Sequence, residues 1–176
     1  MAEIYLTSDT HFNHNKDFIY ERRGFKSIKE MNEKIIENWN SIVKPEDIVY
    51  HLGDVMLGDI EAGIDCLKRL NGHIYIAIGN HDTQARIKAY AACRNIEAVE
   101  FGYRIKQGKK TCILTHYPTI TNNVDNIRVP NFYGHTHQST NFYNPYKDMY
   151  HVGVDSHNCY PVLIESALKE LYNNFY

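Results

Sequence analysis

The sequence of 176 residues has neither a long apolar run nor the paired cysteines that mark disulfide or zinc frameworks. A membrane-spanning helix needs about 18 consecutive apolar residues, and no segment approaches that length. No signal-peptide pattern opens the chain, which predicts a cytoplasmic protein without a membrane partner. The four cysteines lie far apart without Cys-x-x-Cys spacing, as expected of reduced thiols in that compartment.

A large net charge of one sign is also missing, since 19 Lys and Arg side chains oppose 21 Asp and Glu side chains. This near-neutral balance argues against a stable complex with nucleic acid, although a substrate derived from nucleic acid remains compatible with it. No Gly/Ser linker, repeat or low-complexity segment interrupts the chain. Because a domain averages about 100–200 residues, we expect residues 1–176 to form a single domain.

The order of apolar and polar segments predicts strands that alternate with helices in the first half of the chain. Strands are expected at 3–8, 47–52, 73–78, 99–106, 111–115, 129–133 and 150–154. Helices are expected from Ser27, where Glu30 completes a capping-box pattern, and at 60–70, 83–93 and 166–172. The strands at 99–106 and 111–115 are typical of a hairpin. The pattern indicates an α/β sandwich of mixed sheets with helices outside.

Residues that can bind metals are concentrated directly after predicted strands, in a chain with the unusual number of ten histidines. They form five clusters: Asp9-Thr10-His11, Gly53-Asp54, Gly79-Asn80-His81-Asp82, Thr115-His116 and Gly134-His135-Thr136-His137. The C-terminal ends of strands meet at the ligand crevice of an open α/β fold, so these clusters should converge. Side chains two residues apart on an extended segment point the same way, which brings His135 and His137 together.

This set of side chains holds more ligands than one ion requires and suits two. Two ions about 3.5–4 Å apart are the usual device for hydrolysing phosphate esters, because they neutralise the phosphate and activate a bound water. The mixture of nitrogen and oxygen ligands favours manganese first, then iron, zinc, cobalt or nickel, over calcium and magnesium. A single Asp-x-His or His-x-His pair indicates little, since most such pairs bind no metal. Five clusters at strand ends are a strong signal.

In their order along the chain, the five clusters resemble the signature of the calcineurin-like metallophosphoesterase superfamily: Asp-x-His, Gly-Asp, Gly-Asn-His-Asp/Glu, His and Gly-His-x-His. The blocks run from Asp9 to His137 and so cover most of the chain. The resemblance implies a four-layer α/β/β/α sandwich of two mixed sheets flanked by helices, with a binuclear metal site at one edge. The chain lacks the Asp-Arg-Gly of Ser/Thr protein phosphatases after Asp54, and it has no room for a nuclease capping domain. It is similar to small single-domain bacterial and phage phosphoesterases.

The resemblance also implies a role for each motif residue. The first ion would be held by Asp9, His11, Asp54 and His137. The second ion would be held by Asn80, His116 and His135, with Asp54 as the bridge between the two ions. His81 would contact the phosphate and act as the general acid, and its neighbour Asp82 is placed to orient the imidazole and favour its protonated form.

Three further side chains, His14, Arg22 and Arg23, lie on the segment after the first cluster and are candidate contacts to substrate. His14 either touches substrate or is a solvated loop histidine. The guanidinium groups suit a phosphate, although surface arginines are commoner than phosphate clamps. Segments 12–26 and 117–128 are expected to form the walls of the pocket.

The sequence therefore predicts a metal-dependent phosphoesterase in which a metal-bound hydroxide attacks the phosphate without a covalent enzyme intermediate. Small relatives with Gly-His-x-His often cleave phosphodiesters, which gives a slight preference for such esters, including those derived from nucleotides or nucleic acids, and small phosphomonoesters are the alternative. A second alternative is a metal-binding scaffold of the same fold without robust catalysis. The complete set of motif residues, His81 included, argues against the scaffold. The oligomeric state does not follow from the sequence.

Overall fold

The computed structural model describes residues 2–121, 129–143 and 146–173. The strands in these residues are β1 (Ile4–Thr7), β2 (Ile48–His51), β3 (His73–Ala77), β4 (Ile96–Glu100), β5 (Gly102–Gln107), β6 (Lys110–Thr115), β7 (Asn131–Tyr133), β8 (Phe142–Tyr143), β9 (Tyr146–His151) and β10 (Val162–Leu163). The helices are α1 (Asp17–Tyr20), α2 (Ile28–Ile42), α3 (Ile60–Lys68), α4 (Gln84–Ala91) and α5 (Ile164–Asn173). None of the helices in the described part of the chain is both long and apolar enough to cross a membrane.

The strands form two five-stranded mixed sheets. The first has the order β10-β1-β2-β3-β4, in which β1 to β4 run parallel and β10 is antiparallel to β1. The second has the order β5-β6-β7-β9-β8, with parallel pairs at its centre and antiparallel pairs at both edges. This arrangement of two mixed sheets with flanking helices confirms the predicted fold class.

Two apolar clusters hold the layers together. The larger one joins the faces of α2, α3 and α4 to the first sheet, with Trp39 and Tyr90 fully buried in it. The second lies between the sheets, where Leu6 of β1 meets Leu114 of β6 and Phe132 of β7, and it also takes in the apolar face of α5. Because β1, β2 and β3 run parallel, the residues after their C-terminal ends lie at the same edge of the first sheet.

The start of α2 follows the predicted capping pattern in part. Ser27 Oγ accepts a hydrogen bond from the backbone N–H of Glu30 at 3.2 Å, so the N-cap is confirmed. The carboxylate of Glu30 accepts from the backbone N–H of Lys26, one residue before the position that a capping box uses.

The predicted strand 99–106 is divided between two strands, because the chain changes sheets within it, and the predicted hairpin with 111–115 is confirmed from Gly102 onward. Glu100 pairs with Ala77 in the first sheet, whereas Gly102 pairs with Thr115 in the second. Phe101 lies at the crossing between them and is 86% exposed. A glycine inside a strand pattern marks such bends, and Gly102 was the signal for this one.

Candidate metal centre

The five predicted clusters meet at one edge of the sandwich. They follow β1, β2 and β3 of the first sheet and β6 and β7 of the second. Backbone bonds tie adjacent loops together: the N–H of Asp9 donates to the carbonyl of Gly53, and that of Gly134 donates to the carbonyl of His116. One bond joins the two sheets directly, since the N–H of His135 donates to Asp9 Oδ2 at 2.9 Å. The structure thus brings together all five clusters.

The backbone at this edge is held in an uncommon conformation. Positive φ angles occur at five of the candidate residues: Asp9 (57°), His11 (49°), Asp54 (56°), His135 (69°) and His137 (47°). Such values cost residues other than glycine about 1–3 kcal/mol each and persist only where the surroundings enforce them. Their concentration here indicates that the placement of these side chains is maintained against local strain.

Two glycines, Gly53 and Gly79, allow the loops to approach each other. Gly53 has a φ of 89°, and a Cβ there would lie 2.6 Å from the backbone nitrogen of Gly79 and 2.7 Å from His116 Nδ1. A Cβ on Gly79 would collide with the carboxylate of Asp54. Any side chain at either position would push apart the loops that carry the candidate ligands.

The first group of side chains that could hold an ion consists of Asp9, His11 and His137. His11 Nε2 lies 3.1 Å from His137 Nε2 and 4.0 Å from Asp9 Oδ1. Burial raises the pKa of Asp9, and its Oδ1 atom has no hydrogen-bond partner among the described residues. Burial also holds the pKa of His11 well below its usual value, and the nearby charge of Arg23 lowers it further. A neutral imidazole has the free lone pair that metal coordination requires.

The second group surrounds Asp54 and Asn80. His116 Nε2 lies 3.6 Å from Asp54 Oδ2 and 2.8 Å from Asn80 Oδ1. His135 Nδ1 lies 2.8 Å from the same Asn80 oxygen. Asp54 Oδ2 is also 3.8 Å from His11 Nε2, so this carboxylate stands between the two groups.

The hydrogen bonds behind these side chains test whether metal ions fit. His116 Nδ1 faces the carbonyl oxygen of Leu52 at 2.8 Å, so this nitrogen must donate. In the ring that carries its one proton on Nδ1, the Nε2 lone pair points at Asn80 Oδ1, which is also an acceptor. The same tautomer is set at His137, whose Nδ1 faces the carboxylate of Asp155 at 2.8 Å. Acceptors that face each other repel unless a cation lies between them, so these residues fit divalent metal ions.

His81 lies beside the two groups and is not one of the converging acceptors. Its backbone N–H donates to Asp54 Oδ1 at 2.8 Å, and its Nε2 atom is 3.9 Å from Asp54 Oδ2. The side chain is 46% exposed and lines the cavity next to His11 and His137. It can therefore reach a ligand that binds at this edge.

Asp82 does not orient the His81 ring, contrary to the prediction from its position in the motif. Its carboxylate accepts from the backbone N–H of Asp54 and Gly79, each at 2.8 Å, and from the hydroxyl of Tyr90 at 2.7 Å. Asp82 is 5% exposed, and the carboxylate near the His81 ring is that of Asp54. Asp82 instead fixes the loops after β2 and β3 against each other and against α4.

Arg23 is not available as a phosphate clamp, which corrects a second prediction. Its guanidinium donates to the carbonyls of Asp9 and Thr10 at 2.7 and 3.0 Å and forms two bonds with Asp155. The side chain is only 4% exposed. Arg22 is exposed and uses one nitrogen to reach the carbonyl of His137, while His14 is half-buried; both line the cavity.

Asp155 is a site residue that the motifs did not include. It accepts from His137 Nδ1 at 2.8 Å and pairs with Arg23, whose guanidinium nitrogen Nε is 2.9 Å away. Although burial opposes it, these two partners hold the pKa of Asp155 below its usual range. Burial also opposes protonation of His137, but the bond to Asp155 and the charge of Asp9 raise the pKa of that ring. The only signal in the sequence was the position of Asp155 just after a predicted strand.

We expect Asp155→Asn to weaken metal binding in the group of Asp9, His11 and His137 by about 10- to 100-fold, since partners behind a ligand usually contribute that much. The second group should keep its affinity. Titration calorimetry with Mn²⁺ measures both, with Asp65→Asn as the matched control because Asp65 is exposed on α3. Unchanged affinity in Asp155→Asn would contradict an orienting role.

A cavity of about 320 Å³ adjoins His11, His81 and His137 on the side of the segment 12–26. This segment forms a wall of the pocket, as the sequence predicts. The other predicted wall is the segment 117–128, of which residues 122–128 lie outside the described part of the chain. At its described start, Tyr117 packs its ring edge against His135, with centroids 4.7 Å apart.

Comparisons with known proteins agree with this geometry. The family model described as the calcineurin-like phosphoesterase superfamily domain matches residues 2–153. An uncharacterized protein of Methanocaldococcus jannaschii is 34% identical over 181 residues, covering 96% of this chain and 91% of that protein. The Gene 66 protein of Mycobacterium phage D29 is 33% identical over 85 residues, which cover 47% of this chain and 41% of the phage protein.

Among solved structures, a protein of unknown function from Aquifex aeolicus has the same fold. It superimposes with a TM-score of 0.70 at 22% identity, covering 97% of this chain and all of the other. The family model spans every cluster of the candidate centre, from Asp9 to His137. The chain belongs to the calcineurin-like phosphoesterase superfamily.

Proposed function

We propose that this protein hydrolyses phosphate esters with two divalent transition-metal ions, manganese first among them. The first ion would be held by Asp9, His11, Asp54 and His137, and the second by Asp54, Asn80, His116 and His135. The observation that carries the proposal is the position of Asp54 Oδ2, which lies 3.8 Å from His11 Nε2 and 3.6 Å from His116 Nε2. One carboxylate oxygen between imidazole nitrogens of the two groups is the arrangement that a bridging ligand needs.

The ions would neutralise the phosphate charge and lower the pKa of a bound water. The protein contributes the fixed placement of the ligands, since Asp82 and the backbone bonds hold the loops before any substrate arrives. His81 stands at the exposed side of the centre, where a proton can be passed to the oxygen of the leaving group. His11 and His116 are buried and cannot pass a proton to the leaving group.

A phosphodiester is the substrate that we propose over a monoester. The cavity beside the centre is lined by two guanidinium groups, and that of Arg23 is neutralised by Asp155. Among the described residues, Arg22 thus remains as the cationic side chain that lines the cavity and can contact a phosphate oxygen. The cavity of about 320 Å³ beside the centre would take the second ester group that distinguishes a diester from a monoester.

Metal-stripped protein reloaded with Mn²⁺ should hydrolyse bis-p-nitrophenyl phosphate faster than p-nitrophenyl phosphate. Cyclic nucleotides and single-stranded oligonucleotides complete the set of substrates, and a chelator should remove all activity until manganese is restored. A faster rate on the monoester would favour the phosphomonoesterase alternative. Full metal binding without turnover of any substrate would instead support a scaffold and contradict the proposal.

A further inference from the structure

The cavity beside the candidate centre has an apolar wall that the proposed chemistry does not use. The wall is formed by Phe18 and Ile19 of α1, and it faces the same space as His11 and His81. Arg22 lies at the cavity as well. An apolar surface and a phosphate-binding edge therefore share one opening of about 320 Å³.

The local structure presents Phe18 to this opening rather than to the core. Ile19 and Tyr20, the next two residues of α1, pack against the larger apolar cluster and anchor the helix. Phe18 is 62% exposed, and its backbone N–H is bound to Asp17 Oδ1 at 2.9 Å. A large aromatic side chain left in water beside a candidate site is a surface that a ligand can cover.

The spacing of the rings connects this wall to the centre. The ring centroids of His11 and His14 are 5.6 Å apart, and those of His14 and Phe18 are 5.8 Å apart with the planes nearly perpendicular. The rings of His11, His14 and Phe18 therefore lie one after another, from a candidate metal ligand to the exposed ring of Phe18. In a nucleoside ester, a single ribose separates the phosphate from the base, so a phosphate at the centre leaves its ring in reach of this wall.

We propose that Phe18, supported by Ile19 and His14, is a stacking subsite for a planar aromatic ring of the substrate, either a nucleobase or an aryl group. The flat face of Phe18 would hold the ring, while the phosphate lies at the centre with Arg22 beside it. Stacking on an aromatic side chain tolerates any flat ring, so the subsite selects a chemical class and not one base. This inference rests on the proposed function, because it assumes that the phosphate occupies the candidate metal centre.

Binding of non-hydrolysable phosphonates to the manganese-loaded protein tests the subsite without turnover. Titration calorimetry compares methylphosphonate, phenylphosphonate and a nucleoside 5′-phosphonate. Phe18→Ala should weaken both ring-bearing ligands by about 5- to 100-fold and leave methylphosphonate unchanged. Phe18→Tyr should keep the preference for rings. Phe101→Ala is the matched control, since Phe101 is equally apolar and more exposed but does not line the cavity.

The two ring-bearing ligands identify the source of the ring. Tighter binding of the nucleoside phosphonate supports a subsite for bases, and tighter binding of phenylphosphonate supports one for aryl esters. An equal loss for all three ligands in Phe18→Ala, or no preference for rings in the unaltered protein, would overturn the inference. Absence of hydrolysis with any ester would contradict the proposed function alone, because the preference for rings is measured by binding.

Discussion

Asp54→Asn should abolish turnover and weaken metal binding in both halves of the centre at once. The substitution keeps the shape of the side chain and removes its charge. It also places an amide NH₂ or a weaker acceptor where Oδ2 now faces His11 and His116 at 3.8 and 3.6 Å. Loss of one preorganised electrostatic contact lowers kcat by about 10²- to 10³-fold, and we expect a larger fall in Asp54→Asn.

Elemental analysis and steady-state rates measure this effect together. Asn80→Ala is the informative comparison. Among the candidate ligands, Asn80 is bonded only to His116 and His135, so its removal should empty mainly the second site. Asp65→Asn, which makes the same change on an exposed helix face, should leave both metal content and rate unaltered. Two full equivalents of metal with a near-normal rate in Asp54→Asn would show that Asp54 is not the bridge.

His81→Ala should keep both metals and lose rate in a way that depends on the leaving group. A positioned general acid contributes about 10²- to 10⁴-fold where the leaving oxygen needs a proton. Nitrophenolate departs without one, so the loss should be large on alkyl or nucleoside esters and small on nitrophenyl esters. His81 is exposed beside Asp54 and is not one of the acceptors that face each other. We therefore expect His81→Ala to keep both metal ions bound.

Rates of His81→Ala on esters with leaving groups of different pKa supply the measurement. His73→Ala is the control, since His73 is an exposed histidine at the start of β3, far along the strand from the centre. Equal losses on all esters would mean that His81 stabilises charge on the phosphate and is not the acid. Lost metal would mean that His81 is itself a ligand.

The convergence of the five clusters was predictable because it follows from local rules. Each cluster comes directly after an apolar strand, and the ends of such strands meet at one edge. The structure brings Asp9, Asp54 and His116 together from the ends of three different strands. The position of each cluster after a strand and the types of its residues were sufficient to predict that the clusters converge.

The supporting contacts were not predictable, because they join residues that are distant in the sequence. Arg23 looked like an exposed cation, yet it is buried against Asp155, which is 132 positions away. Asp82 looked like a partner for its neighbour in the motif, but its carboxylate is taken by backbone N–H groups and by Tyr90 of α4. Local spacing cannot reveal which acceptors a buried charge finds across the fold.

The shortest elements were missed for a related reason. Strands β8 and β10 have two residues each and α1 has four, too few to show a periodic pattern of apolar residues. β10 exists because its residues pair with Tyr5 and Leu6 at the edge of the first sheet. Such pairing is a property of the folded chain and leaves no separate mark in the sequence.

Diffraction at the manganese absorption edge from crystals of the manganese-loaded protein tests the central claim most directly. We expect two anomalous peaks about 3.5–4 Å apart, both in contact with Asp54. One peak should lie against His11 and His137, and the other against Asn80 and His116. A single peak, or a pair that does not share Asp54, would contradict the account.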